Sequence, residues 1–100
     1  MSAFRELDPV LHSQLRLSIV SLLMGVKSAE FTYLAEKTGA TNGNISVQLK
    51  KLEEVGYITI GKSFRNNYPL TTCSITPRGR EAFIDYVDSL RDYLGVGRGE

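Results

Sequence analysis

A chain of 100 residues has the size of one ordinary domain, so a second domain is not expected. Apolar residues make up 42% of the chain and charged residues 23%, a composition that excludes a disordered protein. The formal net charge of +1 gives no overall sign of a nucleic-acid partner, and no apolar run approaches the roughly 20 residues of a membrane span. The first residues lack the apolar core of a signal peptide, so we expect a cytoplasmic protein without membrane contact.

The first helix is predicted from a start signal and an apolar period. Asp8 can accept hydrogen bonds from free backbone amides, and Pro9 suits the first turn of a helix. Residues 1–7 before it are expected to form a loosely held arm. The helix is expected to end at Gly25. Its apolar residues recur at the three- and four-residue steps of an amphipathic helix: Leu11, Leu15, Ile19, Leu22 and Leu23.

Two helices separated by a tight turn are predicted next. Thr32 is expected to cap a short helix over 33–38, which stops at Gly39, where glycine can adopt the left-handed conformation. The following helix, Thr41–Val55, is capped by its first residue and closed by glycine, and its inward face consists of Ile45, Leu49 and Leu52. Two helices joined by three or four residues that include a glycine are typical of a helix-turn-helix.

A β-hairpin is predicted after the third helix. The segment 57–64 is rich in β-branched and aromatic residues in rough alternation, which indicates a strand, and 71–75 is a second strand. Between them lies the polar tip Arg65-Asn66-Asn67, where asparagines tolerate turn geometry. Pro69 is expected near the tip or on an edge, because proline cannot donate to a neighbouring strand.

A final helix is predicted from Thr76-Pro77 to about Leu94, followed by a flexible tail over 95–100. One face of this helix is a continuous acidic stripe that would repel DNA and must point away from it: Glu81, Asp85, Asp88 and Asp92. Another face is apolar and serves either the core alone or the core and a dimer seam shared with the first helix. The seam is expected to comprise Leu11, Phe83, Val87, Leu90, Tyr93 and Leu94.

Cysteine and histidine are too scarce for the usual metal and cofactor sites. Cys73 is the single cysteine, which excludes an internal disulfide and the thiolate clusters of structural zinc. We expect it to be a buried filler of the second strand. The alternative is a redox switch, although no basic neighbour is visible that would lower its pKa. His12 is expected at a partly exposed position rather than as a ligand. Because catalytic spacings and a phosphate-binding glycine loop are also lacking, we expect no enzyme, metal or cofactor.

The order helix, helix, helix, hairpin, helix is that of a winged helix, so the expected fold class is mostly α with a small β-hairpin wing (α+β), over a domain of residues 8–94. Several segments carry a resemblance: Leu7-Asp8-Pro9, Arg16-Leu17-Ser18-Ile19, Thr41-Asn42-Gly43-Asn44-Ile45-Ser46, Leu49-Lys50-Lys51-Leu52-Glu53-Glu54-Val55-Gly56-Tyr57-Ile58 and Ile75-Thr76-Pro77-Arg78-Gly79-Arg80. On these segments the chain resembles the MarR-like and ArsR-like winged helix-turn-helix transcriptional regulators, and most closely a compact subgroup consisting of the DNA-binding domain alone.

The resemblance implies a homodimer held by the terminal helices, with recognition helices in adjacent major grooves and wings along the flanks. Metal sensing is not expected, because the paired cysteines or His/Asp ligand sets of the ArsR-like sensors are missing from this chain. The function predicted is sequence-specific binding of double-stranded DNA by a homodimeric regulator whose effector is unknown. The alternative is a winged helix that serves as a protein-protein interaction module without DNA binding, which the low net charge favours.

The third helix carries the residues expected to read bases. A recognition helix presents its N-terminal residues to base edges, where asparagine can pair with adenine and a methyl group can contact thymine. The expected base-reading residues are Thr41, Asn42, Gly43, Asn44, Ser46 and Val47. The alternative is a merely solvated helix face, but such a face favours long Glu, Lys and Gln side chains over small residues.

Phosphate contacts are expected from the end of the third helix and from the wing, Tyr57–Ile75. The segment from Thr41 to Tyr68 contains four cationic side chains and two carboxylates, which is a small local excess of positive charge. The expected phosphate-binding and wing residues are Lys50, Lys51, Lys62, Arg65, Asn66 and Asn67. For the tip residues the alternative is a solubilising turn.

Overall fold

The computed structural model describes residues 3–95. Within them, the elements in chain order are α1 Gln14–Met24, β1 Ala29–Glu30, α2 Phe31–Thr38, α3 Asn42–Glu54, β2 Ile58–Arg65, β3 Tyr68–Ile75 and α4 Pro77–Leu94. The strands form one antiparallel sheet in the order β1-β3-β2. The predicted fold class, a mostly helical winged helix with a β-hairpin wing, is confirmed.

The start of α1 differs from the prediction. Asp8 does accept from backbone amides, but its Oδ1 bonds Val10 N at 2.8 Å and its carbonyl bonds His12 N at 2.8 Å, which closes a separate turn. Ser13 then caps α1 by accepting from Arg16 N. Hydrogen bonds from an aspartate to nearby backbone amides stabilise turns as well as helix starts. Asp8 therefore begins a turn at the position where the helix was predicted to start.

The start of α2 also differs, because a short strand precedes it. In β1, Ala29 pairs with Cys73 and Glu30 pairs with Thr72. As a consequence α2 begins at Phe31, and Glu30, not Thr32, occupies its N-cap position. A strand of two residues has no detectable period of its own and exists only through its pairing with β3.

The wing is a hairpin with a two-residue turn. Asn66 and Asn67 have φ of 52° and 67°, and Arg65 pairs with Tyr68 across the turn. Positive φ at both central residues is the geometry of a type I′ turn, which asparagine tolerates. Pro69 pairs with Phe64 near the tip, beyond the point where β1 covers the edge of β3. The predicted turn and the position of the proline are therefore confirmed.

The core lies where α1, α2 and α3 meet the base of the sheet, with α4 packed against α1 and β3. Its buried residues are Leu11, Ile19, Val20, Leu23, Ala29, Leu34, Ile45, Leu49, Leu52, Ile58, Cys73 and Tyr86. Leu11 has no exposed area, so its expected place in a dimer seam is wrong. The turn closed by Asp8 carries this side chain into the core of its own protomer.

The beginning of α4 is held closely against the residue that precedes β2. Thr76 N donates to Tyr57 O at 3.0 Å, and Thr76 Oγ1 donates to Gly56 O at 2.6 Å. The same hydroxyl accepts from Gly79 N at 3.0 Å and so caps α4. A Cβ atom on Gly79 would lie 2.1 Å from Tyr57 O. Only glycine fits this contact between two backbones.

The segment before the first turn lies along α4. Arg5 donates to Asp88 at 2.9 Å and to Asp92 at 3.0 Å, and the ring centroids of Phe4 and Tyr93 are 5.0 Å apart. The prediction of a loosely held arm therefore misses specific contacts within the described part of residues 1–7. Of the expected tail, 96–100 lies outside the described residues. No helix in 3–95 is long and apolar enough to cross a membrane.

Candidate nucleic-acid interface

The N-terminal half of α3 forms an exposed and well-capped surface. Thr41 Oγ1 accepts from Asn44 N at 3.1 Å, so the first turn is fixed. The opposite face of the helix, with Ile45, Leu49 and Leu52, is buried. All six residues expected to read bases are exposed on the other side: Thr41, Asn42, Gly43, Asn44, Ser46 and Val47. The fold therefore brings them together as one accessible patch, which we call the α3 surface.

A chain of hydrogen bonds orients Asn44 within the α3 surface. Arg16 Nη1 donates to Gln48 Oε1 at 2.6 Å, and Gln48 Nε2 donates to Asn44 Oδ1 at 3.0 Å. Arg16 is itself held by Val10 O, which accepts from its Nε at 2.6 Å. Because Oδ1 already accepts, the Asn44 Nδ2 group remains to donate outward. Sequence reasoning missed this chain, since Arg16 and Gln48 lie on different helices.

Three lysines border the α3 surface. Lys50, Lys51 and Lys62 are exposed, and within residues 3–95 none of them takes part in an ion pair. A groove of about 540 Å³ separates α3 from the wing, and its walls include Lys50 and Lys62. Lys50 of α3 and Lys62 of the wing thus face one shared groove, whose walls also include Glu53.

The positive charge of Arg65 at the wing tip is compensated by a carboxylate. Arg65 Nη2 lies 3.1 Å from Glu30 Oε2, the residue that precedes α2. Both side chains are exposed, at 60% and 39%, so water screens the pair and it stabilises the fold little. A phosphate would have to compete with Glu30 for Arg65. The sequence offered no signal for this pair, because the two residues are 35 positions apart.

The apolar face of α4 divides into a buried and an exposed part. Phe83 and Leu90 pack against the core. Val87, Tyr93 and Leu94 are 37%, 46% and 66% exposed, and Tyr93 also donates to Arg5 O at 2.8 Å. Ile84 is 55% exposed on the same apolar face, although it was not among the expected seam residues. Its position three residues before Val87 is the signal that could have found it.

The remaining titratable candidates sit in ordinary structural roles. Cys73 is buried in β3, and this burial raises the pKa of its thiol to about 11, so the reactive thiolate is disfavoured. His12 is exposed, with Nδ1 3.1 Å from the Tyr86 hydroxyl. Burial and the neighbouring Asp8 raise the pKa of Tyr57 to about 12. Across residues 3–95 no three His, Cys, Asp or Glu side chains form a group that could hold a metal ion.

Comparisons with known proteins show the family to which the chain belongs. The family model described as a winged helix DNA-binding domain matches residues 15–94. An uncharacterised protein of Methanocaldococcus jannaschii is 41% identical over 78 residues, which cover 78% of this chain and 85% of that protein.

Solved structures show the same likeness. A transcriptional regulator homologue from Pyrococcus horikoshii OT3 superposes with a TM-score of 0.80 at 26% identity, covering 86% of this chain and 85% of that chain. A MarR-family transcriptional regulator from Rhodococcus sp. RHA1 shares the fold with a TM-score of 0.73 at 18% identity, covering 87% of this chain and 61% of that chain.

Proposed function

Since the chain belongs to the winged helix DNA-binding domain family, we propose that it is a homodimeric transcriptional regulator that binds double-stranded DNA sequence-specifically. The family and the fold are those of transcriptional regulators, and the resemblance to MarR-like proteins stated from the sequence is confirmed. The observation that carries the proposal is the α3 surface, where small and polar residues are exposed beside lysines that form no ion pair within residues 3–95. The proposed domain spans 8–94.

In the proposed complex α3 enters the major groove. The groove is about 12 Å wide and admits one helix, whose N-terminal residues then face the base edges. Asn44 donates its Nδ2 group to a base acceptor, and Gly43 lets the backbone approach the duplex closely. Lys50 and Lys51 lie further along α3 and bind phosphates, while Lys62 on the wing binds the flanking backbone.

The exposed apolar part of α4 supports the homodimer. Leaving Ile84, Val87 and Leu94 in water is unfavourable by about 25 cal/mol per Å² of apolar surface. A second copy related by a two-fold axis covers these residues and places two α3 helices on one side of the DNA. The half-sites are then about 34–36 Å apart, one turn of the duplex, or a multiple of that distance.

The affinity for DNA is expected to depend on the salt concentration. On the best site selected by wild-type protein from randomised duplexes, log Kd should change with log salt with a slope of about 0.9 per neutralised phosphate. Lys50→Ala and Lys51→Ala should each reduce the magnitude of the slope by about one unit and weaken all sequences alike. Fluorescence anisotropy titrations at several salt concentrations measure both quantities.

A matched control for the salt prediction is Lys27→Ala. Lys27 is exposed and precedes β1, whose pairing of Ala29 with Cys73 and Glu30 with Thr72 directs the preceding chain away from the wing tip. This variant should keep the wild-type slope. A wild-type slope near zero would overturn the proposal in favour of a protein-interaction module.

The second prediction separates base reading from phosphate binding. Asn44→Ala and Ser46→Ala should each lose roughly 1–3 kcal/mol on the preferred site, because each removes a hydrogen-bonding group facing the bases. Gln48→Ala should reduce discrimination less, since it removes only the bond that orients Asn44. Binding to random duplex should barely change in all three. Equal weakening on random and preferred DNA would show that the α3 surface does not read bases.

A further inference from the structure

The wing carries two large aromatic side chains that the fold does not cover. Phe64 and Tyr68 are both 75% exposed and flank the Asn66-Asn67 turn. Residues opposite each other in an antiparallel pair share one face of the sheet. Phe64 is opposite Pro69, whereas Tyr68 is opposite Arg65, so the two aromatic rings lie on opposite faces of the wing.

The face that carries Phe64 is the face that meets α3. Alternate residues of a strand share a face, so Phe64 follows Ile58, Ile60 and Lys62 on one side of β2. Ile58 is buried in the core, and Lys62 lines the groove shared with Lys50 of α3. Phe64 therefore extends the α3 side of the wing beyond the body of the protein. The other face, with Tyr68, is the face of Arg65 and its pair with Glu30.

The charge beside Phe64 favours an anionic partner. From Val55 to Arg80 the chain contains no acidic residue, and Lys62 lies on the same face of β2, two residues before Phe64. An apolar ring next to a cation matches a duplex, in which phosphates border a groove whose floor consists of sugars and base edges.

We propose that Phe64 is an apolar wedge that enters the minor groove beside the site contacted by α3 and partly unstacks one base step. The inference rests on the proposed function and adds a determinant of specificity to it. Apolar wedges of this kind kink the duplex, and pyrimidine–purine steps such as TA and CA/TG deform most easily. Phe64 thus selects a flexible step in the flank of the site without a hydrogen bond to any base.

The test is a selection from duplexes with randomised flanks, performed with wild-type protein and with Phe64→Ala. Wild-type protein should enrich TA or CA/TG at one fixed distance from the sequence read by α3. Phe64→Ala should retain the α3 sequence, lose the flank preference and bind the wild-type site roughly 5- to 30-fold more weakly. The slope of log Kd against log salt should not change, because no charge is removed.

Tyr68→Ala is the matched control, since it removes an equally exposed ring from the other face of the same wing. It should keep the flank preference. Unstacking can be measured directly with 2-aminopurine incorporated at the selected base step of the wild-type site. Its fluorescence should rise on binding of wild-type protein and of Tyr68→Ala, but not of Phe64→Ala. Thermal unfolding should show the three proteins to be equally stable, since both side chains are exposed.

Several results would overturn the wedge. An unchanged flank preference in Phe64→Ala or an equal loss in Tyr68→Ala would exclude a specific role for Phe64. A change of oligomeric state in Phe64→Ala, measured by sedimentation, would assign the ring to a contact with a second copy. If one of these results is obtained while wild-type protein binds duplex with salt-dependent affinity, the wedge proposal is wrong and the proposed function stands. If wild-type protein binds no duplex, the proposed function fails with it.

Discussion

Gly79→Ala is expected to destabilise the fold by about 3 kcal/mol or more, an overpacking effect at the upper end of those known for single substitutions. A Cβ at this position would lie 2.1 Å from the Tyr57 carbonyl oxygen and 2.9 Å from its carbon. Both neighbours are backbone atoms, so no side-chain rotation can relieve the contact. The start of α4 must move away, which breaks the bond between Thr76 N and Tyr57 O.

Urea denaturation of wild-type protein and Gly79→Ala measures this loss. Gly43→Ala is the matched control, because Gly43 is also a helical glycine and a Cβ there would meet no atom within 4 Å. That substitution should raise stability by roughly 0.5–1 kcal/mol, since alanine loses less backbone entropy in a helix. A Gly79→Ala variant as stable as wild-type protein would contradict the close contact between α4 and Tyr57.

Ile84→Asp is expected to convert the proposed dimer into monomers and to lower the affinity for a two-half-site duplex by roughly 10²- to 10⁴-fold, the loss of avidity between linked sites. The carboxylate would enter an apolar contact formed with Val87 and Leu94 of α4. Burying an unpaired charge there is strongly unfavourable. Because Ile84 is 55% exposed in the protomer, the fold itself should survive the substitution.

Sedimentation equilibrium at roughly tens of micromolar protein tests the dimer, because the fraction of dimer depends on the protomer concentration. Tyr33→Asp is a control for placing a carboxylate at an exposed apolar position, since Tyr33 is 39% exposed on α2 and should leave the dimer intact. Ile84→Asp should still prefer the sequence of one half-site. A monomeric wild-type protein would refute the homodimer and leave the fold and the α3 surface standing.

Local sequence determined most of the elements and the orientation of α3. The cap at Thr41 and the spacing of Ile45, Leu49 and Leu52 involve residues at most four apart, so the 3.6-residue period alone decided which side of α3 is exposed. The turn at Asn66-Asn67 was predictable for the same reason, since its geometry depends on the φ angles of the turn residues themselves.

Tertiary structure decided which side chains of these elements are exposed, which are hydrogen-bonded to other elements and which are buried. Arg16 reaches Gln48 across 32 positions, Arg65 reaches Glu30 across 35, and Arg5 reaches Asp88 across 83. Leu11 was expected in the dimer seam, yet the turn before α1 carries it into the core. Such contacts depend on how separate elements pack, and the spacing of residues within one element contains no information about its neighbours. The sequence alone therefore predicted the exposed face of α3, whereas the bond from Arg16 that holds Gln48 and the ion pair that compensates Arg65 depend on how the helices and the sheet pack together.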